Sequence, residues 1–362
     1  MGLSKSRVLW PGAFALMVFS GSAQTPPAGP AFWDVRGEYA GTKQCVACHA
    51  SQARRFRENS MSRALEKVSD SAFLADDIHY EWRDGEYSYS IYRTGKKVMY
   101  RVTTGRESFE TPLEYAFGQG KAGQTFVYSV DGVFYESRVS YYAALQALDA
   151  SVGAGNGRPS NVREAAGRAM PGHEARNCFG CHTTGARIGP TLHLDRFEPG
   201  VQCEECHGPG GRHVASIRNG KPAPGTIRAL KRMDAQETSE FCGACHRTWD
   251  AVMLMGVKGV ETVRFAPYRL ALSKCFAVDD RRIACTACHD PHGPVAESDT
   301  AYDAKCAACH NTANTALKKR LCPVGKQACT SCHMPRIEPP ETHHAFADHD
   351  IRVVRGKDDY PG

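Results

Sequence analysis

Fourteen of the chain's 16 cysteines fall in seven copies of one pentapeptide, Cys-x-x-Cys-His. The copies are Cys45, Cys48 and His49; Cys178, Cys181 and His182; Cys203, Cys206 and His207; Cys242, Cys245 and His246; Cys285, Cys288 and His289; Cys306, Cys309 and His310; and Cys329, Cys332 and His333. Two thiols at this spacing with an imidazole directly after the second are the attachment pattern of haem c. The thiols become thioethers to the porphyrin vinyl groups, and the histidine is held under the iron as its proximal ligand. Zinc also takes Cys-x-x-Cys pairs, and redox dithiols share the spacing. Neither chemistry requires a histidine after all seven pairs, so the expectation is seven covalently attached haem c groups.

Each iron has a second axial face. Outside the motifs the chain holds His79, His173, His193, His213, His292, His343, His344 and His349, and Met61 adds a thioether. Nine candidates therefore meet seven open faces. His213 and His292 follow motifs on short turns and lead the set. His343 and His349 lie in His-His-Ala-Phe-Ala-Asp-His-Asp, where Asp348 or Asp350 is placed to orient a ring through its free N–H, and His344 competes with them. His173 stands five residues before Cys178. Met61 competes with core packing, and as a ligand it would raise the potential of its haem. His79 and His193 read as solvent-facing. Cys275 and Cys322 remain, and an oxidising compartment predicts a disulfide between them.

The elements that must position these residues are uneven. After the first motif 128 residues pass before the next cysteine, and then six motifs occupy 156 residues. So little chain per haem cannot build a side-chain core around each one, and the macrocycles must supply much of the buried apolar surface. The expected fold class is a mainly α and irregular multihaem cytochrome c of low secondary-structure content, with a small antiparallel β-sheet inserted at about residues 76–140. The expected divisions are residues 1–23, a first haem-binding segment 24–75, a β insertion 76–145 and a six-haem domain 146–362. Apolar spacing predicts a helix from Ser51 to Val68 and another from Tyr141 to Ala150. Asp84-Gly85 and Asp131-Gly132, each flanked by alternating apolar residues, predict hairpins with type I′ turns. Gly118-Gln-Gly-Lys-Ala-Gly123 matches the letters of a dinucleotide loop, but a strand-like segment follows it instead of a helix. No nucleotide is expected there.

Lys5 and Arg7, the apolar run Val8 to Phe19 and the small residues Gly21 to Ala23 read as a secretory signal peptide cleaved after Ala23, with an uncleaved anchor as the alternative. The expected location is the periplasm, with the cell surface or membrane association open. The formal charge is +6. Loss of Lys5 and Arg7 gives 6 − 2 = +4. Seven ferric haems at about −1 each bring the protein to about −3, and reduction to about −10. No nucleic-acid footprint is expected, and Lys318-Lys-Arg320 reads as a solvated face.

Four segments carry a family resemblance: Cys206-His-Gly-Pro-Gly-Gly-Arg-His213, Cys288-His-Asp-Pro-His292, Cys332-His-Met-Pro335, and His343-x-x-Phe346-x-Asp-His349-x-Ile-Arg352. Over most of residues 170–352 and the first motif the chain resembles multihaem c-type cytochromes related to bacterial nitrite reductase, hydroxylamine oxidoreductase and their tetrahaem relatives. The resemblance implies distal ligation by His213 and His292, often to a different haem. Such proteins commonly have a histidine after the serine of the first helix, where this chain has Ser60-Met61. The leading implied function is electron transfer along stacked haems, to or from a redox partner protein or membrane electron-transfer complex. The alternatives are an oxidoreductase acting on a small nitrogen or sulfur compound at a five-coordinate haem, and a docking subunit. No motif carries the lysine that replaces histidine at the nitrite-reductase catalytic haem.

Overall fold

The computed structural model describes residues 37–71, 74, 78–277, 280, 282–310 and 322–355. The segment read as a signal peptide and the run at 318–320 lie outside the described residues.

The haem-free stretch folds as two antiparallel sheets. One joins β2 (His79–Asp84), β3 (Tyr87–Thr94), β4 (Lys97–Thr103) and β5 (Ser108–Pro112) in order. The other runs β1 (Leu65–Lys67), β6 (Tyr115–Gly120), β7 (Gly123–Val130), β8 (Val133–Tyr142), β10 (Gly167–Ala169), with β9 (Ala147–Ala150) also paired to β8. Alternation explains the packing. Tyr89, Ile91, Val98, Tyr100 and Val102 point from the first sheet onto Ala116, Phe126, Tyr128 and Val139 of the second, and all are buried. Helix α3 (Val162–Ala166), capped by Asn161, closes one side of this core.

The strands reach beyond 76–140 at both ends. The segment predicted as one helix from Ser51 to Val68 breaks after α2 (Ala50–Phe56). Asn59, which is buried, causes the break: its side-chain oxygen accepts from Met61 N, and its amide donates to the Pro291 and Gly293 carbonyls. Leu65 then pairs with Phe117 across β1 and β6. The segment from Tyr141 to Ala150 is the β8–β9 hairpin and not a helix, because Tyr142 and Leu148 bury themselves in the sheet on either side of a turn at Gln146, whose φ is 51°. Asp131-Gly132 makes the expected turn with both φ positive. In the first hairpin Asp84 pairs with Tyr87, so the turn residues are Gly85 and Glu86 and only Gly85 has positive φ. Gly118 has φ 87° and a Cβ there would lie 2.5 Å from the Gly123 carbonyl, so this glycine serves a tight hairpin.

The motifs sit on short helical turns: α1 (Thr42–Cys48), α4 (Gly172–His182), α5 (Cys203–His207), α7 (Ala235–His246), α10 (Cys285–Cys288), α11 (Asp303–Ala307) and α12 (Cys329–His333). Between them lie α6 (Gly211–Arg218), α8 (Trp249–Met255) and α9 (Ala266–Leu272). Helix α7 starts with a full capping box between Asp234 and Glu237. Phe179 of α4 is fully buried against Leu65, Phe197, Tyr115, Phe117 and Phe134, which fixes the second motif to the outer face of the six-stranded sheet.

The C-terminal segment is anchored by charge. Arg269 of α9, 1% exposed, donates from Nε and Nη2 to the two carboxylate oxygens of Asp348, 0% exposed, at 2.9 and 3.0 Å. Arg352 adds a 2.6 Å bond to the same carboxylate, and Asp350 lies 3.4 Å from Arg269. A buried carboxylate is tolerated only with such partners. Arg269→Met leaves two acids behind at a buried site, so the variant should lose about 3–5 kcal/mol of stability, read as a lower denaturant midpoint of the holoprotein; an unchanged midpoint would mean that this cluster does not hold the segment.

Candidate haem-binding site

All seven motif histidines line one continuous cavity of about 4100 Å³. A site for a single small molecule spans roughly 300–1,000 Å³, so this cavity suits an array of macrocycles. Desolvation holds His182, His207, His246 and His289 below the usual imidazole pKa, so they stand neutral, as metal ligation requires. Burial pushes the unmodified thiols of Cys45, Cys178 and Cys206 up to about 12, and thioether formation removes that titration altogether.

The rings are oriented through Nδ1. His182 Nδ1 lies 2.8 Å from the Ala64 carbonyl, His333 Nδ1 lies 2.8 Å from the Arg352 carbonyl, and His289 Nδ1 lies 3.3 Å from the Tyr302 hydroxyl. A proton fixed on Nδ1 leaves Nε2 as the metal-binding nitrogen. Tyr302 and these two backbone carbonyls escaped the sequence reading. Backbone acceptors leave no trace in a side-chain pattern, and Tyr302 is one of 14 tyrosines.

Two pairs of rings lie at a separation that would suit a shared haem iron. His207 and His292 are parallel within 4°, with centroids 6.0 Å apart, and His289 and His349 are 6.1 Å apart with their planes at 41°. Two metal–nitrogen bonds of about 2 Å each, plus the half-width of each ring, would span such a separation. Burial and the nearby His289 ring push His349 down to about 4, so it too is neutral. Its Nδ1 is 3.0 Å from the Ala347 carbonyl. The orienting partner is thus backbone, while Asp348 and Asp350 are committed to Arg269.

Met61, His213 and His344 also line the cavity. Val201 N donates to the Met61 carbonyl, and Gly200 passes so close that a Cβ there would sit 2.1 Å from Ser62 O, which pins the Met61 turn in place. His343 points elsewhere. Its φ of 47° turns it from His344, and its Nε2 lies 2.9 Å from Asp149 of β9, against the ring of Tyr142. His173 is exposed at the start of α4. His79 stands by Glu81 and His193 by Arg196. Cys275 and Cys322 are unbridged: Cys322 accepts from Gly325 N, and Cys275 lies near Cys288 and Cys306.

The motifs touch in a definite order. The thiols of Cys45 and Cys203 meet, as do those of Cys181 and Cys245, Cys242 and Cys285, and Cys306 and Cys329. Cys206 lies close to Cys242, and Cys288 close to Cys306. The fourth motif is therefore the hub, beside the second, third and fifth, and the third links the first to it. Glu204 of the third motif, 2% exposed, accepts from Ala40 N, Gly41 N and Gly210 N at 2.8, 2.7 and 2.6 Å, locking α5 to the start of α1. Burial pushes Glu205 up to about 8, with Gly185 N donating to it.

Fold and motifs together support one class, the multihaem c-type cytochrome with covalently bound haem c. A family model described as cytochrome c554 and c-prime matches residues 150–208. The chain is 26% identical over 196 residues to the multihaem cytochrome MtrA of Shewanella baltica (strain OS185), covering 49% of this chain and 48% of that one. It is 33% identical over 98 residues to cytochrome c-554 of Nitrosomonas europaea (strain ATCC 19718), covering 24% of this chain and 41% of that one. The chain thus spans about half the length of the curated relatives it matches, or less. In fold it is similar to the outer cell wall cytochrome OcwA in its crystal structure, with a TM-score of 0.54 at 15% identity over 88% of this chain and 80% of that one.

His292→Ala should convert the haem held by His207 from low to high spin, and His349→Ala should do the same for the haem held by His289. Electron paramagnetic resonance of the ferric holoprotein reads this directly; retention of every low-spin signal in either variant would remove that histidine from the ligand set.

Proposed function

We propose that the protein is a seven-haem c-type cytochrome that carries electrons outside the cytoplasmic membrane to or from a redox partner. The observation that carries this reading is the unbroken order of motif contacts, first to third, fourth, fifth, sixth and seventh, with the second beside the fourth, along one cavity lined by all seven proximal imidazoles. Haems that close exchange electrons directly, and the protein sets each potential by ligand and burial. We assign His292 and His349 as distal ligands of the haems held by His207 and His289. His213, Met61 and His344 are the remaining ligands of choice because they face the cavity, whereas His343 is bound to Asp149. The kinship with nitrite reductase and hydroxylamine oxidoreductase belongs to this proposal, as does export by the N-terminal segment. Among the described residues no helix is long and apolar enough to cross a membrane.

A reductive titration of the purified holoprotein should take up seven electrons per chain across a broad range of potentials. Five candidate distal side chains face the cavity that seven motif histidines line, so carbon monoxide should bind rapidly to at most two haems of the reduced protein. Rapid reoxidation of the reduced protein by nitrite, hydroxylamine or sulfite would shift the assignment to a catalyst with a five-coordinate iron.

A further inference from the structure

We infer that the first motif is the electron port and that its surroundings form a docking face for an acidic redox protein. This inference rests on the electron-transfer reading above. Two independent observations carry it. The first is position in the array. Cys45 meets Cys203, and the third motif is the neighbour that links the first to the rest, so the first motif stands at an end of the order. Cys48 and His49 are exposed; the second and seventh motifs are also ends of the order, and charge singles out the first.

The second observation is charge. Residues 41–57 contain four Lys or Arg, and residues 206–233 contain six, with no Asp or Glu in either segment. Far apart in sequence, the two are joined in space: Gly211 N donates to the Glu38 carbonyl, Arg218 donates to Gln44 of α1, and Glu204 holds α1 to α5. Arg55 is paired with Asp290, and Arg228 packs over Phe241. The other eight cations, among them Arg54, Arg57, Arg218 and Lys221, are exposed. Glu38, Glu58 and Asp290 are acids at the margin. Two ferric haems in this region bring only about −2 of charge, so the face stays strongly positive on a protein whose total is about −3 with seven ferric haems. A local cationic face on a net anionic protein steers one kind of protein partner, an acidic one, to one end of the array.

The sign of the salt dependence tests this. The probe is an acidic flavodoxin in its reduced form, mixed with the oxidised holoprotein in a stopped-flow instrument. Two net anions repel, so whole-molecule charge makes the rate rise with salt; docking on the cationic face makes it fall. The expected result is a fall. Arg54→Glu/Arg57→Glu and Arg218→Glu/Lys221→Glu should each slow the reaction about tenfold at low ionic strength. The same charge change at Lys96→Glu/Lys97→Glu, on the exposed β3–β4 turn, should matter less than about twofold. A rate that rises with salt, or equal slowing at both places, overturns the port. So do unchanged rates accompanied by lost binding to vesicles of an anionic phospholipid, which would make the face a membrane contact. Haem content and total electron uptake, measured on the same samples, keep this failure separate from failure of the electron-transfer reading.

Discussion

The structure depends on one constraint: from the first motif to the last, the cysteines and histidines that line the cavity have little apolar core of their own to stand on. Among the described residues the large buried clusters belong to the β-sandwich and to the contact between that sandwich and α4. The motif-bearing turns are mostly five to twelve residues long, too short to be stable as isolated helices. What fixes them is a web of polar links to chain far away in sequence, and the covalent cofactors for which the thiols and neutral imidazoles are arranged.

Those links have a common design. Glu204 ties the third motif to α1, Asn59 ties the Met61 turn to the loop of the fifth motif, and Arg269 with Asp348 ties α9 to the segment that delivers His349. Each uses a buried side chain with its hydrogen-bonding capacity met, as burial of polar groups demands. Each also sits within a few residues of a candidate ligand. The sandwich joins in through Lys121 to Glu297 and through Asp149 to His343, so it acts as a rigid shoulder for the array.

The seven Cys-x-x-Cys-His motifs were legible in the sequence because haem attachment demands a fixed local spacing. The hairpins were legible because Asp-Gly and strand alternation are local too. The failures were all non-local. Ser51 to Val68 has helical spacing, yet Asn59 is claimed by carbonyls more than 230 positions away and the chain breaks there. Tyr141 to Ala150 packs as strand because a sheet is already waiting for it. The sequence reading preferred His343 to His344 as a ligand; the left-handed φ at His343 instead sends it to Asp149, and His344 is the one that lines the cavity. The cationic face was invisible because it is assembled from two segments about 150 residues apart.

The central claim is that porphyrins are tethered at every paired thiol. The most direct test is the intact mass of the purified mature protein after acid–acetone extraction, which strips haem that is not covalently bound. The account predicts an increment of seven haems over the polypeptide, with free thiols at Cys275 and Cys322 alone. An increment well short of seven, or haem that leaves with the solvent, would contradict it.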